Sequence, residues 1–434
     1  MFKWFLVLAG LLAGTSGVFS QPSQDTNVPK PCRRGISQDV ATLEKRKERL
    51  ERDIARSTGT KAVRKRQEEL LRVLFDIECA NARDRDQAVE VLATGEATFR
   101  SGGKARNIVE VTTYYATNRN LSRNADLSKL YGTHAESELS YGRAVVTIPT
   151  THQRGNIELP SIWKLEREPD PKRHFTLKSV TPVKTDAARA EIAERLRTSD
   201  SKAILVFVHG YNVGFPEAAM RMAQFAYDLR FKGIPLFFSW PSAAQVVAYL
   251  QDAETAQLSE GPFDQLLQDL SELPAGDIYI IAHSMGSRVV SQVLKSRVER
   301  GKATDHISEL LLAAPDINAD LFRTVIAPKL ASMQNTRTTI YASSSDLALR
   351  ASKAVHGFKR VGETTDGVFS YPGLETIDAS NASLVMRAFG HSYLMDSAQV
   401  LRDIQSIVRE KLRAKQRGLA EAGTLPNLYW KLQQ

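Results

Sequence analysis

A serine between an apolar run and a helical pattern is the main candidate for chemistry in this sequence. The run IYIIA (278–282) leads directly into HSMG (283–286), and the following SRVVSQVLKSRVE has helical spacing. A strand, a tight turn that carries a serine and a helix together form a nucleophile elbow, which needs small residues two positions before and after the serine. Ala282 and Gly286 occupy these positions, so Ser284 is predicted as a nucleophile. The structural alternative is a serine that only caps the helix.

Two aspartates are candidates for the acid of a catalytic triad. A serine hydroxyl reacts only when a base removes its proton and an acid orients that base. After an elbow of this kind the acid and the histidine follow in that order, each behind a later strand. Asp346 follows the run TTIYA and is the preferred acid, while Asp316, which follows ELLLA, is the alternative. For Asp346 a helix cap of LALRASKAV is the structural alternative.

The predicted base is His391. The chain has eight histidines, and only His356 and His391 come after Asp346. His391 follows the last predicted strand and opens a final helix, as the base of such a triad should. His356 lies ten residues after Asp346, inside an intervening helical segment, so His391 is preferred.

Two backbone N–H groups are predicted to bind the oxyanion that forms during acyl transfer. One belongs to Met285, directly after the serine. The other belongs to Tyr211 in the turn HGYNVG (209–214), where Gly210 gives the backbone freedom after the run ILVFV. An ordinary glycine turn is the structural alternative. The sequence has no clustered metal ligands, so neither a metal nor a cofactor is expected.

Alternating strands and helices are expected to position these residues. From about residue 109, short β-branched and aromatic runs alternate with helical stretches, which predicts an α/β fold with a mostly parallel sheet covered by helices. Runs such as ILVFV and IYIIA are apolar throughout, as is typical of strands buried on both faces. Predicted strands cover 109–116, 142–148, 203–208, 236–239, 278–282, 309–313, 338–342 and 374–377, with an edge strand at 175–183.

The chain is expected to begin with an export signal and a helical hairpin. A positive charge, an apolar stretch and small residues predict a cleaved signal at 1–20, hence a periplasmic or secreted protein; the alternative is an uncleaved membrane anchor. Apolar positions with helical spacing, broken near Gly59, predict an antiparallel hairpin at 36–82. The remaining predicted parts are linkers at 21–35 and 83–108, the main domain at 109–412 and a peripheral tail at 413–434.

The two cysteines, Cys32 and Cys79, both lie in this amino-terminal region. An exported chain with an even number of cysteines permits a disulfide. From the turn near Gly59, Cys32 is 27 residues back and Cys79 is 20 residues forward, so a bridge needs a non-helical approach around Pro31. A disulfide is the favoured interpretation, and two free thiols are the alternative.

The formal net charge of +9 favours anionic surfaces as partners. Part of this excess lies at 33–80, with 13 Lys or Arg against 9 Asp or Glu. The hairpin is therefore predicted either to pack on the main domain with a solvated outer face or to contact a partner or envelope membrane. No zinc-finger, RNA-binding or basic-zipper pattern occurs, so nucleic acid is not an expected partner.

The chain resembles a bacterial family of α/β-hydrolases of unknown function, often described as esterase or lipase superfamily enzymes. The resemblance covers roughly residues 109–405 and leaves out the hairpin. It rests on seven blocks in order: YYATNR (114–119), FVHGYNVGF (207–215), FSWPS (238–242), AHSMGSR (282–288), LAAPDI (312–317), SSDLALRAS (344–352) and GHSYLMD (390–396). It implies the α/β-hydrolase fold and a triad of Ser284, Asp346 and His391, but no particular substrate.

The leading hypothesis is a serine hydrolase that cleaves a small-molecule or lipid ester through an acyl-enzyme. Phospholipase, thioesterase or acyltransferase activity would use the same triad and stays open. The alternative from a different class is an envelope binding or scaffold protein that retains the hydrolase fold and uses its hairpin for contact.

Overall fold

The computed structural model describes most of the main domain and a few residues of the hairpin. The described residues are 42–43, 45–46, 49–50, 53, 73, 108–122, 124, 126–160, 169–199, 201–243, 249–344, 346, 349, 352–353, 357–382 and 396–433. The predicted signal segment, both cysteines, His356 and His391 lie outside them. Within the predicted hairpin, Leu43, Leu50 and Val73 are helical, buried and packed together, while most of the hairpin lies outside the described residues.

One sheet of eleven strands organises the described residues. Its strands are β1 (Ile108–Leu121), β2 (Tyr131–Pro149), β3 (Thr176–Val183), β4 (Ala203–Val208), β5 (Ile234–Ser239), β6 (Asp277–His283), β7 (Ile307–Ala313), β8 (Arg337–Ala342), β9 (Glu375–Asp378), β10 (Ala420–Ala422) and β11 (Tyr429–Lys431). Their spatial order is β10-β11-β9-β8-β7-β6-β4-β5-β1-β2-β3. The pairs from β1 through β5, β4, β6, β7, β8 and β9 to β11 are parallel, whereas the β1–β2, β2–β3 and β10–β11 pairs are antiparallel. The predicted mostly parallel sheet is confirmed.

Helices cover both faces of this sheet. They are α1 (Thr185–Thr198), α2 (Phe215–Asp228), α3 (Tyr249–Leu258), α4 (Glu260–Ser271), α5 (Gly286–Glu299), α6 (Ala319–Leu321), α7 (Ala327–Ala331) and α8 (Ala398–Glu410), with a π-helical turn at Phe322–Ile326 and single 3₁₀ turns at Leu127–Lys129 and Ala414–Gln416. Helices α1, α4 and α5 pack on one face, and α2 and α8 pack on the other. None of the helices described here is long and apolar enough to cross a membrane.

Strand β4 shows why these apolar runs form the centre of the fold. All six of its residues are buried. Side chains alternate between the faces of a strand, so Ile204, Val206 and Val208 belong to one apolar cluster and Leu205 and Phe207 to the other. Removing each of these side chains from water contributes about 1.5–3 kcal/mol, which makes both clusters strong determinants of the strand's position.

The carboxyl ends of β4 and β6 lie side by side. The two strands are parallel neighbours with Val208 opposite Ala282, while β5 pairs with the other edge of β4. The chain therefore leaves β4 towards one side and returns to β6 on the other side. Such a reversal opens a crevice at the carboxyl ends of the strands, where α/β proteins bind their ligands.

Strands β1 and β2 are longer than predicted, because they continue into a partly solvated ribbon in which apolar runs no longer mark the strand. The segment 413–434, predicted as a peripheral tail, contributes β10 and β11 to one edge of the sheet, and Trp430 pairs with Ile377 of β9. These two strands were not predicted, because strands of three residues are too short to show an alternating pattern.

Candidate active site

Ser284 has a left-handed backbone conformation at the turn between β6 and α5. Its φ is +51°, a value that residues other than glycine rarely adopt. The N–H of Ser284 donates to the carbonyl of Ala313 at 2.9 Å, and the N–H of Asp316 donates to the carbonyl of Ser284 at 3.3 Å. Such strain costs roughly 1–3 kcal/mol and persists only where the surroundings hold it. This backbone geometry is the one that a nucleophile elbow requires.

Position 286 has room for glycine alone. A β-carbon there would lie 2.2 Å from the carbonyl oxygen of His209 and 2.9 Å from that of Val208. Helix α5 therefore begins in direct contact with the backbone that follows β4. The small residue on the other side of the serine, Ala282, is fully buried, so its one methyl group is accommodated.

The turn 209–214 lies directly against the serine. A β-carbon at Gly210 would lie 2.9 Å from Cβ of Ser284 and 2.9 Å from Nδ1 of His283. The backbone beside Tyr211 thus reaches the edge of the elbow. On the helix side, the N–H of Met285 makes no hydrogen bond within the described part of the chain. The assignment of Tyr211 and Met285 as oxyanion donors stays a prediction.

His209 has no free role as a base, because both ring nitrogens are engaged. Its Nδ1 donates to the carbonyl of Gly210 at 2.8 Å, and its Nε2 lies 3.3 Å from Oγ of Ser239. The ring stacks on Trp240 with centroids 5.0 Å apart. Burial and the nearby Arg119 lower the pKa of His209 to about 3, so the imidazole is neutral at ordinary pH.

The predicted base, His391, lies outside the described residues, as does His356. The chain on both sides of 383–395 is described. Ala382 is buried shortly after β9, and Asp396 forms an ion pair with Arg221 of α2 at 2.7 Å. The described chain thus resumes at Asp396 beside α2, the helix that follows the turn 209–214.

The two candidate acids have different surroundings. Asp346 is fully buried, and its Oδ1 accepts the N–H of Leu349 at 2.8 Å, as a helix cap would. Asp316 accepts hydrogen bonds from the hydroxyls of Tyr249 (2.5 Å) and Ser352 (2.7 Å). Its carboxylate also pairs with Arg288 at 3.1 Å and Arg360 at 3.3 Å. Burial alone would raise the pKa of Asp316, but the two arginines outweigh it and lower that pKa.

The family model described as an alpha/beta hydrolase of unknown function (DUF900) matches residues 184–409, slightly more than half of the 434-residue chain. The chain belongs to this family. The α/β-hydrolase fold is thus shown by the family as well as by the parallel sheet, the covering helices and the strand-to-helix turn. The family description gives no substrate.

Several solved structures resemble the chain at low identity. Esterase B from Lactobacillus rhamnosis, inhibited by a tributyrin phosphonate, is 10% identical with a TM-score of 0.29, over 66% of this chain and 79% of that one. A hyperthermophilic esterase from the archaeon Pyrobaculum calidifontis is 10% identical with a TM-score of 0.29, over 82% and 99%. A prolyl endopeptidase is 11% identical with a TM-score of 0.26, over 63% and 43%. Similarities this weak do not distinguish one substrate from another, and no curated protein matches the chain.

Arg119 holds the loops around the elbow together, a role that the sequence alone did not reveal. It is 2% exposed, and its guanidinium donates to the carbonyls of Val213 (2.8 Å) and Ser242 (3.1 Å). Its Nε donates to Oγ of Ser239 at 2.8 Å. Burial lowers the pKa of Arg119 to about 10, so it stays charged at neutral pH. The sequence feature that could have indicated this role is a charged residue, Arg119, at the end of the buried part of β1.

Asp252 also holds these loops, through hydrogen bonds that it accepts from their backbone. It is fully buried in α3 and accepts the N–H groups of Asn212 at 3.3 Å and Ala243 at 2.8 Å. Its Oδ2 also accepts the hydroxyl of Ser242 at 2.5 Å. Burial raises the pKa of Asp252, although these donors oppose the rise. Together Arg119 and Asp252 fix the turn 209–214 against the loop after β5.

The arrangement has parts that acyl transfer requires. It offers a serine on a strained turn, a backbone loop that lies against it and buried carboxylates behind the later strands. Within the described ranges, no group of three or more His, Cys, Asp or Glu residues is placed to hold a metal ion.

Proposed function

We propose that this hydrolase cleaves carboxylic esters through an acyl-enzyme on Ser284. The observation that carries the proposal is the conformation of Ser284, whose φ of +51° places it on a sharp turn between β6 and α5. Proteins hold such strain where it has a use, and a serine on this kind of turn, at the carboxyl end of a strand, is the nucleophile of α/β-hydrolases.

The proposed reaction has two steps. Oγ of Ser284 adds to the ester carbonyl while His391 takes the hydroxyl proton, and the oxyanion accepts hydrogen bonds from the N–H groups of Tyr211 and Met285. The ester C–O bond then breaks, and the alcohol leaves with the proton from His391. In the second step a water molecule gives a proton to His391 and adds to the acyl carbon. The acid is released as Ser284 recovers its proton.

Asp346 is the proposed partner of His391. The support is indirect and comes from Asp316, whose two carboxylate oxygens already face two arginines and two hydroxyls. A carboxylate engaged in this way orients an imidazole poorly, because its lone pairs point to other donors. Asp346 follows β8, the position that the acid has behind a nucleophile elbow.

Labelling with a fluorophosphonate tests the nucleophile directly. The wild-type protein should be labelled on Ser284 and should hydrolyse short-chain aryl esters, whereas Ser284→Ala should lose both properties. Ser287→Ala is the matched control, because Ser287 is also buried and its hydroxyl bonds only to the carbonyl of Ala282 at 3.1 Å. This control should keep labelling and turnover. Equal labelling of wild-type protein and Ser284→Ala would falsify the proposal.

His391→Gln tests the proposed base. Without a general base the serine hydroxyl keeps its proton, so the initial rate of labelling should fall by about 10³-fold or more. His356→Gln provides the comparison and should label at the wild-type rate. If His356→Gln lost activity and His391→Gln did not, the base would have to be reassigned.

A further inference from the structure

Two arginines share one buried carboxylate beside the elbow. Arg288 lies in the first turn of α5, and its Nη2 approaches Oδ2 of Asp316 at 3.1 Å and the hydroxyl of Tyr249 at 2.7 Å. Arg360 approaches Oδ1 of Asp316 with its Nε at 3.3 Å. We call Arg288, Arg360, Asp316 and Tyr249 the paired-arginine cluster. It contains two positive charges and one negative charge, since burial raises the pKa of Tyr249 and keeps its hydroxyl neutral.

Arg360 is the poorly satisfied member of this cluster. The residue is only 3% exposed, yet within the described part of the chain its buried Nε and Nη2 form no hydrogen bond, and the approach of Nε to Asp316 is an ion pair only. Asp316 is the one described carboxylate within ion-pair distance of it. A buried guanidinium that lacks hydrogen bonds costs several kcal/mol. The described cluster therefore carries a net positive charge, which a second anion would neutralise.

Among the described residues, no carboxylate other than Asp316 pairs with Arg360. The cluster lies beyond the carboxyl ends of β6 and β7, the edge of the sheet that also carries Ser284. Two guanidinium groups that share one carboxylate leave a net positive charge, which suits an anionic group of a ligand.

The cluster is next to the groups proposed to react. The N–H of Asp316 donates to the carbonyl of Ser284 at 3.3 Å, so the carboxylate belongs to the residue that braces the elbow. On the other side the ring of Tyr249 packs against that of Tyr211, with centroids 5.3 Å apart. The side chain of Arg288 is 24% exposed, so the cluster is open to solvent at this point.

We propose that the paired-arginine cluster binds a carboxylate carried by the ester substrate. Guanidinium groups bind carboxylates through paired, charge-assisted hydrogen bonds, which Arg360 has not otherwise formed. The cluster then selects esters with a second, ionised acid group over neutral esters of equal length. This inference rests on the proposed esterase activity and adds the class of substrate to it.

A panel of matched esters tests the selection. Monomethyl esters of glutaric and adipic acid carry the carboxylate on the acid side, and butyryl glycolate carries it on the alcohol side. Methyl pentanoate, methyl hexanoate and ethyl butyrate are the neutral counterparts, with acid release followed by titration at constant pH. At least one anionic ester should have a kcat/KM about 10- to 100-fold above its counterpart, the range expected for a hydrogen-bonded charged group. The preferred ester shows on which side of the ester bond the carboxylate lies.

Arginine variants connect the selection to the cluster. Arg360→Gln should remove the preference for the anionic ester and change turnover of the neutral esters less than about threefold, whereas Arg360→Lys should retain part of the preference. Arg297→Gln is the matched control, because Arg297 is equally buried in α5 but is fully paired, with Asp264 at 2.6 Å and the carbonyl of Ala303 at 2.9 Å. This control should unfold at a lower temperature and keep the preference.

Two results would overturn the inference while leaving the esterase proposal intact. One is efficient hydrolysis of neutral esters without preference for any anionic ester. The other is a preference that a folded Arg360→Gln leaves unchanged, as Arg297→Gln does, which would make Arg360 a structural residue. Failure of the esterase proposal looks different, since no ester in the panel would then be hydrolysed and Ser284 would remain unlabelled.

Discussion

The guanidinium of Arg119 donates a hydrogen bond to the carbonyl of Val213 at 2.8 Å across 94 residues of sequence. Val213 belongs to the turn 209–214, and Gly210 of the same turn packs against Ser284. The first strand of the sheet therefore determines where the backbone of this turn lies relative to the serine. Arg119 touches neither the serine nor any reacting atom, so its effect on turnover is one of positioning.

Substitution of Arg119 should lower turnover more than substrate binding. Arg119→Met removes the hydrogen bonds that hold the turn, and a displacement of about 1 Å at a catalytic group costs roughly 100-fold in rate. We expect kcat on a short-chain ester to fall about 10- to 100-fold, with KM within about threefold of wild type. Asp252→Asn should have a similar effect, and the double variant should be little worse than either, since both residues hold the same turn. Additive losses would contradict a shared role.

Gly286→Ala should destabilise the protein because the added methyl group has no space. Its β-carbon would lie 2.2 Å from the carbonyl of His209, so β4 and α5 must move apart. We expect a loss of about 2 kcal/mol or more in the free energy of unfolding, measured with urea. Gly276→Ala is the control, since its β-carbon would lie 3.6 Å from the nearest atom, and it should change stability by less than about 1 kcal/mol. Equal stabilities for both variants would show that the contact at position 286 relaxes freely.

The apolar runs and the turn chemistry made much of the fold predictable. Buried parallel strands such as ILVFV and IYIIA are short, continuous and flanked by helical patterns, so their existence and order follow from the sequence. The elbow was predictable for a similar reason, because Ser284 lies between a strand and a helix with small neighbours. The order of neighbouring strands was not predictable, since nothing local states that β4 pairs with both β5 and β6.

Long-range polar contacts account for what the sequence did not reveal. Arg119 and Asp252 lie far apart in sequence, and only the folded chain brings them to the same turn. The same holds for Arg360, which reaches Asp316 from a segment without regular secondary structure. Isolated polar side chains of this kind do not belong to a repeating helix or strand pattern. A single sequence therefore does not show which residues they bond to. The carboxyl-terminal strands β10 and β11 were missed because their strand character depends on pairing with β9 rather than on their own pattern.

Parallel substitutions of the two aspartates should separate the triad acid from the structural acid. Asp346→Asn retains an oxygen that can accept the N–H of Leu349, so stability should change little. If Asp346 orients His391, kcat should nevertheless fall by about 10³- to 10⁴-fold. Asp316→Asn should instead destabilise the fold by about 3–5 kcal/mol, because Arg288 and Arg360 lose their shared carboxylate. The opposite pattern of effects would assign the acid to Asp316.

His152 lies between two carboxylates and links stability to alkaline pH. Its Nδ1 is 2.8 Å from Glu158 and its Nε2 is 3.0 Å from Asp228, in a place where the imidazole is almost fully buried. Burial alone would lower the pKa of His152, but hydrogen bonds to Asp228 and Glu158 outweigh it and raise the pKa to about 9. The folded protein thus holds this proton more tightly than the unfolded chain does.

The free energy of unfolding should therefore decrease as the pH rises from about 6.5 to above 9. A group with a raised folded pKa stabilises the fold fully below its unfolded pKa and loses that contribution above its folded pKa. Because the folded protein raises the pKa of His152 to about 9, the loss is on the order of 3 kcal/mol. Urea unfolding at intervals between pH 6 and pH 10 measures it. His152→Gln should remove most of this slope, whereas His134→Gln, at an exposed position on β2, should leave it unchanged. A wild-type slope that persists in His152→Gln would assign the alkaline transition to other groups.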